Sequence, residues 1–108
     1  MTTPEISARD LDERRKRGDK ILVIDCREPW ENGLVRLTES TLIPMNDTPG
    51  RIEELRGAEG PIVVYCHHGI RSLQVVQWLR AQGLENVFSL AGGIDAWSLE
   101  VDRELPRY

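Results

Sequence analysis

An α/β domain with a mainly parallel sheet and helices on both faces is the fold class this sequence predicts, and three observations predict it. Ile21-Leu22-Val23-Ile24 and Ile62-Val63-Val64-Tyr65 are short, unbroken apolar runs, the pattern of strands buried on both faces. Helix-forming stretches alternate with such runs along the chain. Reactive-looking residues follow two of the runs directly, at the carboxyl ends of strands where sites form in sheets of this kind. With 108 residues the chain has room for one core and not two, so a single domain over 1–108 is expected.

Ser7 is placed to cap a first helix, with Asp10 three positions on as a variant of the capping box and Gly18 ending the run. Asp25 closes the first strong strand. Pro29-Trp30-Glu31-Asn32 has the makings of one helical turn, and Leu42-Ile43 of a short strand stopped by Pro44. Thr48 followed by Pro49 predicts a capped helix through Ile52 and Leu55. After the strand Ile62–Tyr65, apolar spacing through Leu73, Val75, Val76, Trp78 and Leu79 predicts a helix over 72–82, stopped by Gly83. Val87–Leu90 reads as another strand, and Ala91-Gly92-Gly93 turns into a last helix containing Ile94 and Trp97.

A net charge of −4 argues against nucleic acid or an anionic membrane as a main partner. The one basic run, Arg14 to Arg17, ends an amphipathic helix and reads as a solvated terminus complementing the helix dipole. No apolar stretch approaches the ~20 residues that span a bilayer. The first residues lack a secretory signal pattern. Two cysteines do not make a disulfide scaffold, and a cytoplasmic location is expected.

The most informative segment is Cys66-His67-His68-Gly69-Ile70-Arg71-Ser72, lying between a strand and a helix. Loop N–H groups can curl into an anion-binding nest, the helix presents its positive end, and Arg71 adds a permanent cation. Each would pull a thiol from its free value of about 8.5 toward neutrality and make thiolate, the nucleophile. The competing reading of Cys66 is a small buried hydrophobe at a strand end.

Asp25-Cys26-Arg27-Glu28, Leu42-Ile43-Pro44, the Cys66–Ser72 loop and Leu90-Ala91-Gly92-Gly93-Ile94-Asp95-Ala96-Trp97 together resemble the rhodanese homology domain. The motifs stand in family order from about residue 6 to 97, leaving 98–108 as a tail. The resemblance implies a three-layer rhodanese-like fold. It also implies a sulfurtransferase in which Cys66 takes sulfane sulfur from thiosulfate or a persulfide donor, becomes a persulfide, and passes the sulfur to a thiophilic acceptor, a small thiol or a protein. Loop N–H groups would stabilise the anion, Arg71 would hold the donor, and Gly69 would let the backbone curl. His67, His68, Ile70 and Ser72 complete the substrate loop. Phosphatases that share this fold carry one residue more between cysteine and arginine, widening the cradle for phosphate; the shorter ring here favours sulfur.

Arg27 has two open readings, an ion-pair partner or a substrate contact at the rim. Asp25 is expected to end its strand and pair nearby. No metal is expected, because His67 and His68 are the only histidines, neighbouring side chains tend to diverge, and closed zinc sites take about four ligands. No cofactor is implied, and the expected state is a monomer or weak homodimer. Trp30, Trp78 and Trp97 read as packing. Arg36-Leu37-Thr38-Glu39-Ser40 departs from the family pattern, and Cys26 stands where an apolar residue is usual. Cys26 is either a buried valine substitute or, if neighbouring strands bring the thiols together, a partner that resolves oxidised Cys66. The functional alternatives are a non-catalytic interaction module and, disfavoured by the loop, a phosphatase or arsenate reductase.

Overall fold

The computed structural model describes residues 3–108. Five strands, β1 (Glu5–Ile6), β2 (Leu22–Asp25), β3 (Ser40–Leu42), β4 (Ile62–Tyr65) and β5 (Val87–Leu90), form one sheet in the order β1-β5-β4-β2-β3. Every pairing is parallel. The central strands β2 and β4 are the two apolar runs, and both are covered on both faces, as a parallel sheet requires.

Five α-helices flank the sheet: α1 (Ala8–Lys16), α2 (Pro29–Leu34), α3 (Ile52–Arg56), α4 (Ile70–Ala81) and α5 (Gly93–Glu100). Side-chain alternation along the strands sorts the core into two layers. Ile24, Cys26, Ile62, Val64 and Cys66 pack with Leu55 of α3 and Val75, Val76 and Leu79 of α4. Val23, Val63 and Tyr65 pack on the opposite side with Ala8 and Leu11 of α1 and Ile94 and Trp97 of α5. The three-layer expectation holds, and each fully buried aliphatic side chain contributes about 1.5–3 kcal/mol.

Ser7 caps α1 as its sequence implies, its Oγ accepting the Asp10 N–H at 3.1 Å. Three local expectations change. The Thr48 hydroxyl donates back to Pro44 O instead of capping forward, so Met45–Arg51 winds as a 3₁₀ helix and α3 starts only at Ile52. Strand β3 begins earlier than Leu42, because its Ser40 pairs with Val23 of β2. Strand β1 had no sequence signal at all. It exists by edge pairing, with Ser89 N–H donating to Pro4 O and Ala91 N–H to Ile6 O. The departing 36–40 segment is tied down by Tyr65, whose hydroxyl accepts the Leu37 N–H at 3.1 Å, and by Arg15, which donates to Thr38 O at 2.9 Å.

Candidate active site

The carboxyl ends of β2 and β4 are adjacent, with Asp25 paired to Tyr65, so the two chemistry-bearing segments meet on one rim. Beyond Tyr65 the chain turns through Cys66–Gly69 and enters α4 at Ile70, two residues before the expected start. Gly69 makes this early entry possible. It sits at φ +101° directly before the helix, where a side chain would press on Gly92 N at 3.2 Å.

The turn wraps its amides around Cys66. Gly69 N–H donates to Cys66 Sγ at 3.0 Å and Ser72 N–H at 3.4 Å, while the Ser72 hydroxyl lies 3.4 Å from the same sulfur. Ser72 Oγ is itself held by Ser89 Oγ at 2.7 Å. Past the end of the neighbouring strand, Cys26 packs in the same buried layer as Cys66. Its thiol is the strongest influence lowering Cys66. Burial opposes it, the Ser72 and Gly69 donors reinforce it, and Cys66 is held down at about 4. A structural cysteine in an apolar wall would move the other way.

The loop rests on α5. Ile94 N–H donates to Cys66 O at 2.9 Å and Asp95 N–H to His67 O at 3.1 Å, so the first amides of that helix hold the loop's carbonyls. This is the structural work of the Gly92-Gly93 turn.

Arg71 lies at the mouth with its side chain 35% exposed, but its charge is not aimed at the sulfur alone. Its Nη1 and Nη2 donate to Glu31 Oε1 and Oε2 at 2.7 and 2.9 Å. That bidentate pair holds the Glu31 carboxylate at about 2 against the effect of burial, with help from the Tyr108 hydroxyl and the Glu28 N–H. A Coulombic attraction between Arg71 and Cys66 remains.

Arg27 resolves into the first of its two readings. It is wholly buried, and its Nε and Nη2 bind Asp25 Oδ1 and Oδ2 at 2.8 Å each. Its Nη2 also donates to Val35 O and its Nη1 to Tyr108 Oη. Burial alone would pull this guanidinium down, but the Asp25 and Tyr108 bonds raise it above its usual value. Four of its five N–H donors are engaged inside the protein and none of the side chain reaches solvent, which corrects the rim-contact reading. Asp25 pairs as expected.

His67 and His68 do not diverge. Their rings stack at 3.9 Å, and Tyr108 stacks on the other side of His67 at 3.8 Å. Together with Asp95 they offer three ligand atoms within 4.8 Å. Arg107 already engages both Asp95 oxygens at 2.7 and 3.2 Å, so the trio falls short of a closed zinc set. Ile70 is exposed at the start of α4 and Trp30 on α2, whereas Trp97 is core.

Three contributors carried no sequence signal: Glu31 on α2, Ser89 at the end of β5, and Tyr108. Tyr108 donates to Glu31 Oε2 at 2.5 Å and accepts from Arg27, joining the tail to the rim.

The rhodanese-like domain model matches residues 7–100. The chain belongs to the rhodanese-like family. A sulfurtransferase of Allochromatium vinosum is 33% identical to this rhodanese-like chain over 94 residues, covering 87% of each. Thiosulfate sulfurtransferase GlpE of Haemophilus influenzae is 32% identical over 103 residues, covering 90% of each. Against a longer relative, the chloroplastic Rhodanese-like/PpiC domain-containing protein 12 of Arabidopsis thaliana, the match is 34% over 93 residues and spans 31% of that protein. Among solved structures, a rhodanese-related protein of Thermoplasma volcanium superposes with TM-score 0.79 at 31% identity, over 92% of this chain and 94% of the other. Among the described residues, no helix is long and apolar enough to cross a membrane.

A thiol at about 4 is deprotonated at neutral pH and gains its proton only as pH falls through that value. Ultraviolet thiolate absorbance, taken as wild type minus Cys66→Ser, should therefore stay level from neutral pH down and drop around pH 4. A midpoint near the free value of about 8.5 would remove the cradle's assigned effect.

Proposed function

We propose that the chain is a sulfurtransferase acting through a Cys66 persulfide, with thiosulfate or a related anionic sulfane donor as the source of sulfur. The carrying observation is the pair of backbone N–H groups, Gly69 and Ser72, aimed at a buried Cys66 Sγ. The Cys66 thiolate attacks the sulfane sulfur of thiosulfate. A new S–S bond forms at Cys66, the old one breaks, and sulfite leaves with its electron pair. An acceptor nucleophile then takes the outer sulfur and returns Cys66 to thiolate.

The cradle suits both anionic states, because its donors are fixed before the reaction and need no rearrangement. Arg71, fixed by Glu31 and partly exposed, sets a cation at the mouth for the donor's anionic end. Four residues separate Cys66 from Arg71, a ring that fits sulfur better than a phosphoryl group. The names of the Allochromatium and Haemophilus relatives support the same reading.

Two assays on the same preparation test it. Thiosulfate with cyanide should yield thiocyanate, and thiosulfate alone should add the mass of one sulfur atom to the Cys66 peptide. A chromogenic phosphate ester should remain intact. Hydrolysis of the ester without thiocyanate formation would replace sulfur transfer by dephosphorylation, and inertness in both would favour an interaction module.

A further inference from the structure

Cys26 makes and breaks no bond in the reaction proposed above, yet its surroundings are unusual for a valine substitute. The β2–β4 ladder continues one step past Asp25 and Tyr65, with Cys26 N–H donating to Tyr65 O at 3.0 Å. In parallel register the next residues, Cys26 and Cys66, stand side by side and point to the same face. Both pack in the same layer with Ile24 and Val64, and both are free thiols. Neighbouring strands run about 4.8 Å apart, inside the usual Cα range of a disulfide, so a bond between them asks for no strand movement. Both side chains sit in one buried layer, so the two thiols are neighbours across the β2–β4 ladder.

We propose that Cys26 is a second reactive thiol that resolves the Cys66 persulfide, attacking its inner sulfur and releasing the outer one as hydrosulfide. The proposal rests on the sulfurtransfer reading of Cys66. A bond forms between Cys26 Sγ and Cys66 Sγ, and the bond from Cys66 Sγ to the outer sulfur breaks. The electron pair goes to the outer sulfur, which takes the Cys26 proton and leaves as HS⁻. The outer sulfur is reduced, the two cysteine sulfurs are oxidised to a disulfide, and no outside oxidant is consumed. A dithiol then restores both cysteines by exchange. The cycle converts thiosulfate and a dithiol into sulfite, hydrosulfide and a disulfide.

The placement of the groups selects the inner sulfur. Cys26 lies on the β2 flank of Cys66, one register step past the Asp25–Tyr65 pair. The Gly69 and Ser72 N–H groups approach from the loop and α4 instead. Before loading, the Cys66 thiolate and burial keep the Cys26 thiol firmly protonated, so it is idle as a nucleophile and holds the proton the departing sulfur needs. External acceptors compete for the outer sulfur, so hydrosulfide release should dominate when acceptor is scarce.

The test loads wild type and Cys26→Ser with one equivalent of thiosulfate and no acceptor. Released sulfide is trapped with a bimane, and the peptides are mapped without reduction after alkylation. Wild type should release close to one equivalent of sulfide, yield a Cys26–Cys66 linked peptide, and recover its thiols with dithiothreitol. Cys26→Ser, whose hydroxyl can still donate a hydrogen bond but forms no disulfide, should keep the extra sulfur on its Cys66 peptide and release at least tenfold less sulfide. A wild-type persulfide as long-lived as the variant's, with no linked peptide, would overturn the inference and leave sulfur transfer standing. If neither protein takes up sulfur, the sulfurtransfer reading falls and this inference falls with it.

Discussion

Cys66→Ser is expected to lower thiosulfate-to-cyanide transfer by at least about three orders of magnitude while leaving the domain folded. A serine hydroxyl is not ionised at neutral pH, so it offers neither an anionic nucleophile nor a site for a persulfide. The fold has little reason to change. The substitution replaces one small group by another, and the Gly69 and Ser72 N–H groups that met the sulfur can donate to a hydroxyl. Loss of sulfur packing in a site only 1% exposed should cost about 1–2 kcal/mol. Thiocyanate formation, intact mass after thiosulfate treatment and a thermal melt separate the outcomes. A folded variant with substantial activity would move the reaction to another group, and Cys26 would be the first to examine.

The sequence disclosed the parts of this molecule whose causes are local. Strands β2, β4 and β5 could be read because a strand covered on both faces is predominantly apolar rather than alternating. The start of α1 could be read because Ser7 acts on an amide three residues away. The cysteine loop was legible for the same reason: cradle, thiol and helix entry lie within seven consecutive residues. The family resemblance added the expectation that the rims of β2 and β4 meet.

Contacts between distant residues left no such trace. Glu31 and Arg71 are 40 positions apart, and Arg27 and Tyr108 are 81 apart. Nothing near Arg27 in the sequence distinguishes a buried ion pair from a rim contact; Val35 O and Tyr108 Oη settle the matter by closing over the side chain and taking two of its donors. Glu31 looked like an ordinary first-turn acid, and it does return a capping bond to Glu28 N–H at 3.1 Å. The same carboxylate fixes Arg71, so the cation at the mouth is oriented by a helix cap. The tail shows the point most clearly. Residues 98–108 matched no motif, yet Tyr108 covers His67, the residue after Cys66, and Arg107 pairs with Asp95 beneath the loop.

The largest effect expected from a residue that touches no substrate is that of Gly93→Ala. Gly93 lies at φ +64°, where a side chain costs about 1–2 kcal/mol. A Cβ there would stand 2.5 Å from the Cys66 carbonyl oxygen and would collide with that of His67. These are backbone atoms of the cradle and cannot swing aside as a side-chain tip can. Overpacking of this kind adds about 1–3 kcal/mol, for a total of about 2–5 out of the ~5–15 kcal/mol that holds a small domain together. The melting temperature should fall by roughly 10 °C or more. Relief can come only by pushing the Cys66–His67 peptide away from α5, which breaks the bonds from Ile94 and Asp95 N–H and tilts the amides aimed at the sulfur. A misplacement near 1 Å costs about a hundredfold in rate, so transfer should drop at least that far even in the molecules that remain folded. Gly33→Ala supplies the control. Gly33 lies within α2 with nothing inside 4 Å of a new Cβ, so alanine there should stabilise by about 0.5–1 kcal/mol and leave transfer unchanged. Equal melting temperatures and equal rates for the two variants would mean that the loop does not depend on its close seat against α5, and that the cradle's geometry is held from the β4 side alone.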